Sequence, residues 1–164
     1  MRLWRRSVLP WAVFMGLVGL ASPALAQDDD ERENLADLRE VNVVVESLAP
    51  DAEEAGLDRR AITRAVEQQL EARGVPLGSS RSAGDLYVNI ETFRGSTGLY
   101  AYCVEVSLQQ LVTIEGNQLR TLADVWELGS LGTVGAGNLP QVTGIVSDIV
   151  DAFIDDYLEM NEPQ

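Results

Sequence analysis

Residues 100–115 read YAYCVEVSLQQLVTIE, and this stretch decides the fold. Tyr100, Tyr102, Val104, Val106, Leu108, Val112 and Ile114 fall on one parity, with Gln110 the single interruption. Glu105, Ser107, Gln109, Thr113 and Glu115 fall on the other. A period of two over so many residues describes one long strand with an apolar and a polar face. Such a strand twists strongly, and a bulge near Gln109 to Leu111 is expected to relieve it.

The neighbouring segments extend this strand into a sheet. Glu115-Gly116-Asn117 marks a hairpin, after which Leu119 to Leu128 returns as a further strand. Its parity is mixed, with Leu119, Ala123 and Val125 on one face and Leu122, Trp126 and Leu128 on the other, which predicts cover on both sides. Upstream, Gly95 to Gly98 is a turn, and Leu86, Val88 and Ile90 alternate with Tyr87, Asn89 and Glu91 in the strand before it. Val41, Val43 and Val45 begin the first strand in the same way.

Two helices complete the pattern. Asp58 to Arg73 is predicted as a helix with Asp58 as N-cap, Gly74 as its stop, and a narrow stripe of Ala61 or Ile62, Ala65 or Val66, and Leu70. Ala49 to Gly56, with Pro50 and Asp51, reads as a connecting loop, and the stretch from Gly78 to Gly84 as flexible. Near the C-terminus, Val142, Ile145, Val146, Ile149, Phe153, Tyr157 and Met160 recur every three to four residues, a broad stripe over Leu139 to Met160. Asn138 is placed to cap that helix, with Pro140 in its first turn. The order β-α-β-β-β-α predicts an α+β fold, a four-stranded mainly antiparallel sheet with two helices on one face. The expected single domain spans 37–161, with 162–164 a short tail.

Composition narrows the chemistry. The 164 residues carry 26 acidic and 12 basic side chains, a net charge of −14, one cysteine and no histidine, and every basic residue is an arginine. Walker-type nucleotide sites, Schiff-base chemistry, Ser-His-Asp and Cys-His nucleophiles, and histidine zinc sites all need side chains that are missing. No cofactor is expected. The acidity repels nucleic acid and anionic lipid, and it equally suits a protein kept hydrated and apart from others.

The first 26 residues read as a secretory leader: Arg2, Arg5 and Arg6 precede an apolar run from Val8 to Leu20, and Ala24-Leu25-Ala26 offers a cleavage site before Gln27. Arg5-Arg6-Ser7-Val8-Leu9 also allows a twin-arginine route. The run is interrupted by Pro10 and is too short to span a bilayer comfortably, and no cysteine near the cleavage site can take a lipid anchor. A periplasmic or secreted protein with no membrane span is therefore expected. Removing the leader leaves nine arginines against all 26 acids. Residues 27–36 begin QDDDEREN and are expected to be a disordered acidic tail.

Export, size and element order resemble small bacterial envelope domains of the TolB N-terminal, LptE and LpoB type over about Leu38 to Met160. That resemblance implies a non-enzymatic domain that binds partner proteins or assists envelope assembly, here without the lipidated cysteine of LptE and LpoB. The stretches Ala123-Asp124-Val125-Trp126-Glu127 and Phe153-Ile154-Asp155-Asp156-Tyr157 also resemble an uncharacterised secreted bacterial family.

Several constellations invite a functional reading. Gly132, Gly135, Gly137 and Asn138 precede a helix, where backbone amides can bind an anion, or they form a plain connector. Asp148, Asp151, Asp155 and Glu159 share one helix stripe that either holds calcium or is a solvated face. Glu91 and Glu105 are an acid-base pair only if paired strands set them side by side in a dry cleft, as a carboxylate-based hydrolase would need. Arg59, Arg60 and Arg64 open the first helix as a local basic spot that either receives an acidic partner or pairs with Glu67 or the tail. Tyr87, Cys103 and Trp126 mark a partner surface if the sheet face away from the helices is open; alternatively Trp126 fills the core. Cys103 reads as a small buried residue or as a thiol that pairs between chains. The leading expectation is a non-enzymatic envelope-protein binder that uses the open sheet face or a strand edge. The alternatives are a small-ligand, calcium or anion binder, and a hydrolase.

Overall fold

The computed structural model describes residues 29–80 and 83–161, with Asp29 and Asp30 described by backbone alone. The expected leader, residues 27–28 of the expected tail, part of the Gly78 to Gly84 stretch and residues 162–164 lie outside the described residues.

The architecture is α+β. Strands β1 (Val41–Val45), β2 (Gly84–Arg94), β3 (Leu99–Thr113) and β4 (Arg120–Gly135) form one sheet in the order β1-β2-β3-β4. β1 runs parallel to β2, and the other two pairs are antiparallel. The β1 to β2 crossover carries helices α2 (Pro50–Glu54) and α3 (Arg59–Ala72). After β4 come a 3-10 helix (Ala136–Gln141) and α4 (Val142–Asn161). One apolar cluster lies between the sheet and these helices: Val41 and Val45, Leu86, Val88 and Ile90, Val104, Val106 and Leu108 from the strands, against Ile62, Val66 and Leu70 of α3 and Val146, Ile149 and Phe153 of α4. Alternation on the strands and three-to-four spacing on the helices put these residues on facing surfaces, and their burial is the main driving force. Among the described residues no helix is long and apolar enough to cross a membrane.

The ends of α3 follow from local chemistry. The Asp58 carboxylate accepts from the Arg60 and Ala61 amides at 2.8 and 3.1 Å, satisfying two donors that a helix leaves open at its start. Gly74 takes φ +86 at the other end, a conformation in which a Cβ is disfavoured.

Five local expectations are corrected. Ala49 to Gly56 is not all loop, because Pro50 starts a one-turn helix with Asp51 and Glu53 in its first turn and Ala52 buried. The bulge is present beside Gln109 as expected, but its extra residue lies on β4, where Val125 is skipped between the pairs Leu108 with Trp126 and Gln109 with Asp124. That skipped residue also explains the mixed parity of β4, which is covered on one side only: Trp126 faces the core, whereas Leu122 and Leu131 are exposed. The glycine-rich 129–137 stretch is mostly strand, and Asn138 sits inside the 3-10 helix, whose start has no side-chain cap. Finally, order begins before residue 37. Asp29–Glu33 forms a short helix, α1, Leu35 is fully buried, and its carbonyl accepts from the Asn161 amide at 2.9 Å.

Candidate functional site

β1 is an edge strand, and its outer side is the candidate site. In a parallel ladder the amide and carbonyl of a residue point the same way, and successive residues alternate. Glu46 donates inward to Val88, whereas Val41 bonds outward, its amide to the Pro76 carbonyl at 3.0 Å and its carbonyl from the Gly78 amide at 2.9 Å. Val43 and Val45 share the parity of Val41, so their amides and carbonyls also point outward. Among the described residues no backbone group meets them there.

α3 flanks this edge. Ile62, Val66 and Leu70 turn into the core, which leaves Arg59, Arg60, Thr63 and Arg64 on the side next to β1. Together with Val43, Val44 and Val45 they line an open cavity of about 430 Å³. The three arginines that the sequence singles out thus meet at one place. None of them is ion-paired among the described residues, so the alternative of neutralisation by Glu67 is not what the fold does. The partial positive charge of the α3 N-terminus is met by the Asp58 carboxylate, so the arginines alone supply the positive charge. The result is a small cationic patch beside unpaired backbone donors and acceptors, on a chain whose net charge is −14. The sequence signals the arginines; the open backbone groups of Val43 and Val45 become visible only once the strand order is known.

The sheet face opposite the helices is uncovered, and its strand register sets side chains in rows. Val44, Tyr87, Ser107 and Glu127 form one row, Glu91, Cys103 and Leu131 another, and Phe93, Ala101 and Thr133 a third. Phe93 is 73% and Leu131 80% exposed, while Tyr87 and Cys103 are half-buried. Glu91 and Glu105 do stand on paired strands, one step apart diagonally, but on this open face and not in a cleft. Burial, then the charges of Glu105, Asp124 and Glu31, push the Glu127 carboxyl above the usual carboxylate range.

Three sequence candidates are corrected here. Trp126 is not a surface residue: it is 1% exposed, packs edge-on to Phe153 with ring centroids 5.2 Å apart, and belongs to the core. The glycine stretch is not one loop, because Gly132 and Gly135 lie in β4 and Gly137 and Asn138 in the 3-10 helix that follows it. A Cβ at Gly132 would collide with the Tyr102 phenol, so that glycine makes room for a ring. The aspartate stripe is crossed by a cation from α3: Arg73 contacts Asp155 at 2.6 Å and Asp151 at 3.6 Å, with Asp148 exposed nearby on the helix. Among the described residues no three Cys, Asp or Glu side chains converge as a metal site. The sequence reading misses Arg73 because its partners lie on a helix about 80 positions away.

No family model matches this chain, and no curated protein matches it. Among solved structures it is similar to a minor lipoprotein from Acinetobacter baumannii, at 14% identity and a TM-score of 0.29, over 72% of this chain and 87% of that one.

Proposed function

We propose that this chain is an exported, non-enzymatic binding module whose β1 edge receives an extended acidic segment of another protein of the cell envelope. The carrying observation is the cavity in which Arg59, Arg60 and Arg64 stand beside the outward amides and carbonyls of Val43 and Val45. An incoming strand pairs with those groups, and its carboxylates reach the guanidiniums, so main-chain bonds supply the docking and charge supplies the choice. Arginine suits this task because its planar fork accepts a carboxylate in a bidentate geometry.

The rest of the surface limits the partner. A uniformly acidic protein is repelled by a −14 charge at long range, but screening at physiological salt confines that repulsion to about 8 Å. The site therefore favours a short acidic segment carried by an otherwise neutral or basic protein.

The test is fluorescence anisotropy with a labelled acidic decapeptide, compared with the same peptide in which Asp and Glu are replaced by Asn and Gln. The acidic peptide is expected to bind, and the combined Arg59→Ala, Arg60→Ala, Arg64→Ala variant to weaken it at least tenfold, about 1.4 kcal/mol, within the range of one lost charge-assisted hydrogen bond. Equal binding of both peptides, or an unaffected variant that still folds, refutes the site.

A further inference from the structure

The sheet has a second free edge, and it is built differently. β4 is the other terminal strand and runs for 16 residues, Arg120–Gly135. Gly84 and Val88 of β2 bond β1, so the odd-numbered residues of β2 bond the odd-numbered residues of β3, and the even-numbered residues of β3 bond β4 from Trp126 to Val134; the odd-numbered residues of β4 there point their amides and carbonyls outward. The first half of this edge is protected. The Val125 carbonyl is taken by the Asn34 side chain at 2.9 Å, α1 packs beside it, the bulge at Val125 breaks the ladder, and Asp124 and Glu127 carry charge. These are the devices by which proteins keep edge strands from pairing.

The second half has none of them. Residues 128–135 read LGSLGTVG, without charge or proline. Gly129, Leu131 and Thr133 are exposed, and among the described residues no backbone group bonds to their outward side. Leu131, at the centre, is 80% exposed.

From this we infer that β4 pairs antiparallel with β4 of a second copy, about a two-fold axis at Leu131. A second copy fits because a two-fold at Leu131 lays the uncharged segment 128–134 of one copy along the same segment of the other. Leu131 then faces Leu131 of the other copy, Gly129 faces Thr133, and Glu127 faces Gly135, so no carboxylate opposes another despite the charge of −14 on each chain. Shifting the centre to Gly129 would set Glu127 against Leu131, a poorer match. The axis is perpendicular to the sheet, so the two sheets merge into one of eight strands with both helix layers on the same side. Both β1 edges remain free at its outer ends, so this inference stands whether or not they bind acidic segments.

Sedimentation velocity of the purified protein over a wide concentration range tests it, with circular dichroism melts as the folding control. The wild type is expected to move from monomer to dimer as concentration rises. Thr133→Pro removes an outward donor without touching the β3 to β4 ladder, and Leu131→Lys places two like charges at the axis. Both are expected to remain folded monomers. Phe93→Lys alters an equally exposed residue of the same face, away from the edge, and is expected to dimerise like wild type. A wild type that stays monomeric throughout overturns the inference. So does a dimer that survives both Thr133→Pro and Leu131→Lys, or one abolished by Phe93→Lys, which would indicate face-to-face stacking.

Discussion

The Trp126 indole donates to the Asp156 carboxylate at 2.9 Å and so ties the centre of β4 to α4 across the core. An indole N–H buried with its ring needs an acceptor, and Asp156 supplies a charged one that lies only partly in the interior.

Removing either member is expected to destabilise unequally. Asp156→Ala leaves the indole donor unsatisfied at a cost of about 1–3 kcal/mol, and Asp156→Asn, which keeps an acceptor, costs less. Trp126→Ala deletes the ring and is expected to cost about 3–5 kcal/mol. Urea denaturation followed by circular dichroism reads all three. An Asp156→Ala variant as stable as wild type would show that water satisfies the indole.

Glu127 provides a pH prediction whose sign follows from its surroundings. Burial and the neighbouring Glu105, Asp124 and Glu31 raise its carboxyl, so the folded state binds a proton more readily than the unfolded chain. Its contribution to stability is present below the ordinary glutamate value and is lost as pH rises through the folded one. Glu127→Gln is therefore expected to melt higher than wild type at neutral pH, with the gap closing in mildly acidic buffer. A gap that is constant with pH, or of opposite sign, contradicts the shift.

Leu35 tests where order begins. It is fully buried and lies just after α1, so Leu35→Ala is expected to cost about 2–5 kcal/mol in urea melts, whereas a change within a disordered tail would cost nothing measurable. An unchanged midpoint would return residues 29–36 to the status of a tail.

The strands, α3 and the stripe of α4 were legible because each follows a short period. Valines at 41, 43 and 45, the alternation of 100–108, and Asp58 with Gly74 are patterns within one element. The errors fall where a distant residue overrides the local signal. Glycines at 129, 132 and 135 suggest a loop until Tyr102, on the adjacent strand, is seen to fill the space over Gly132. The acidic segment before Leu35 suggests disorder until Asn34 and Leu35 are found bonded to Val125 and Asn161. Trp126 is ambiguous by parity because one skipped residue, Val125, reverses the faces of β4.

By itself, the sequence determined the fold class, the element order, the absence of lysine and histidine chemistry, and the three arginines at the start of α3, since each depends on residue type and spacing along the chain. Tertiary structure alone decided which strands form the edges. That assignment turns Val43 and Val45 into open backbone beside those arginines, makes the uncharged half of β4 a free ladder, and moves Trp126 into the core, because whether a backbone group or a ring is covered depends on what packs against it from elsewhere in the chain.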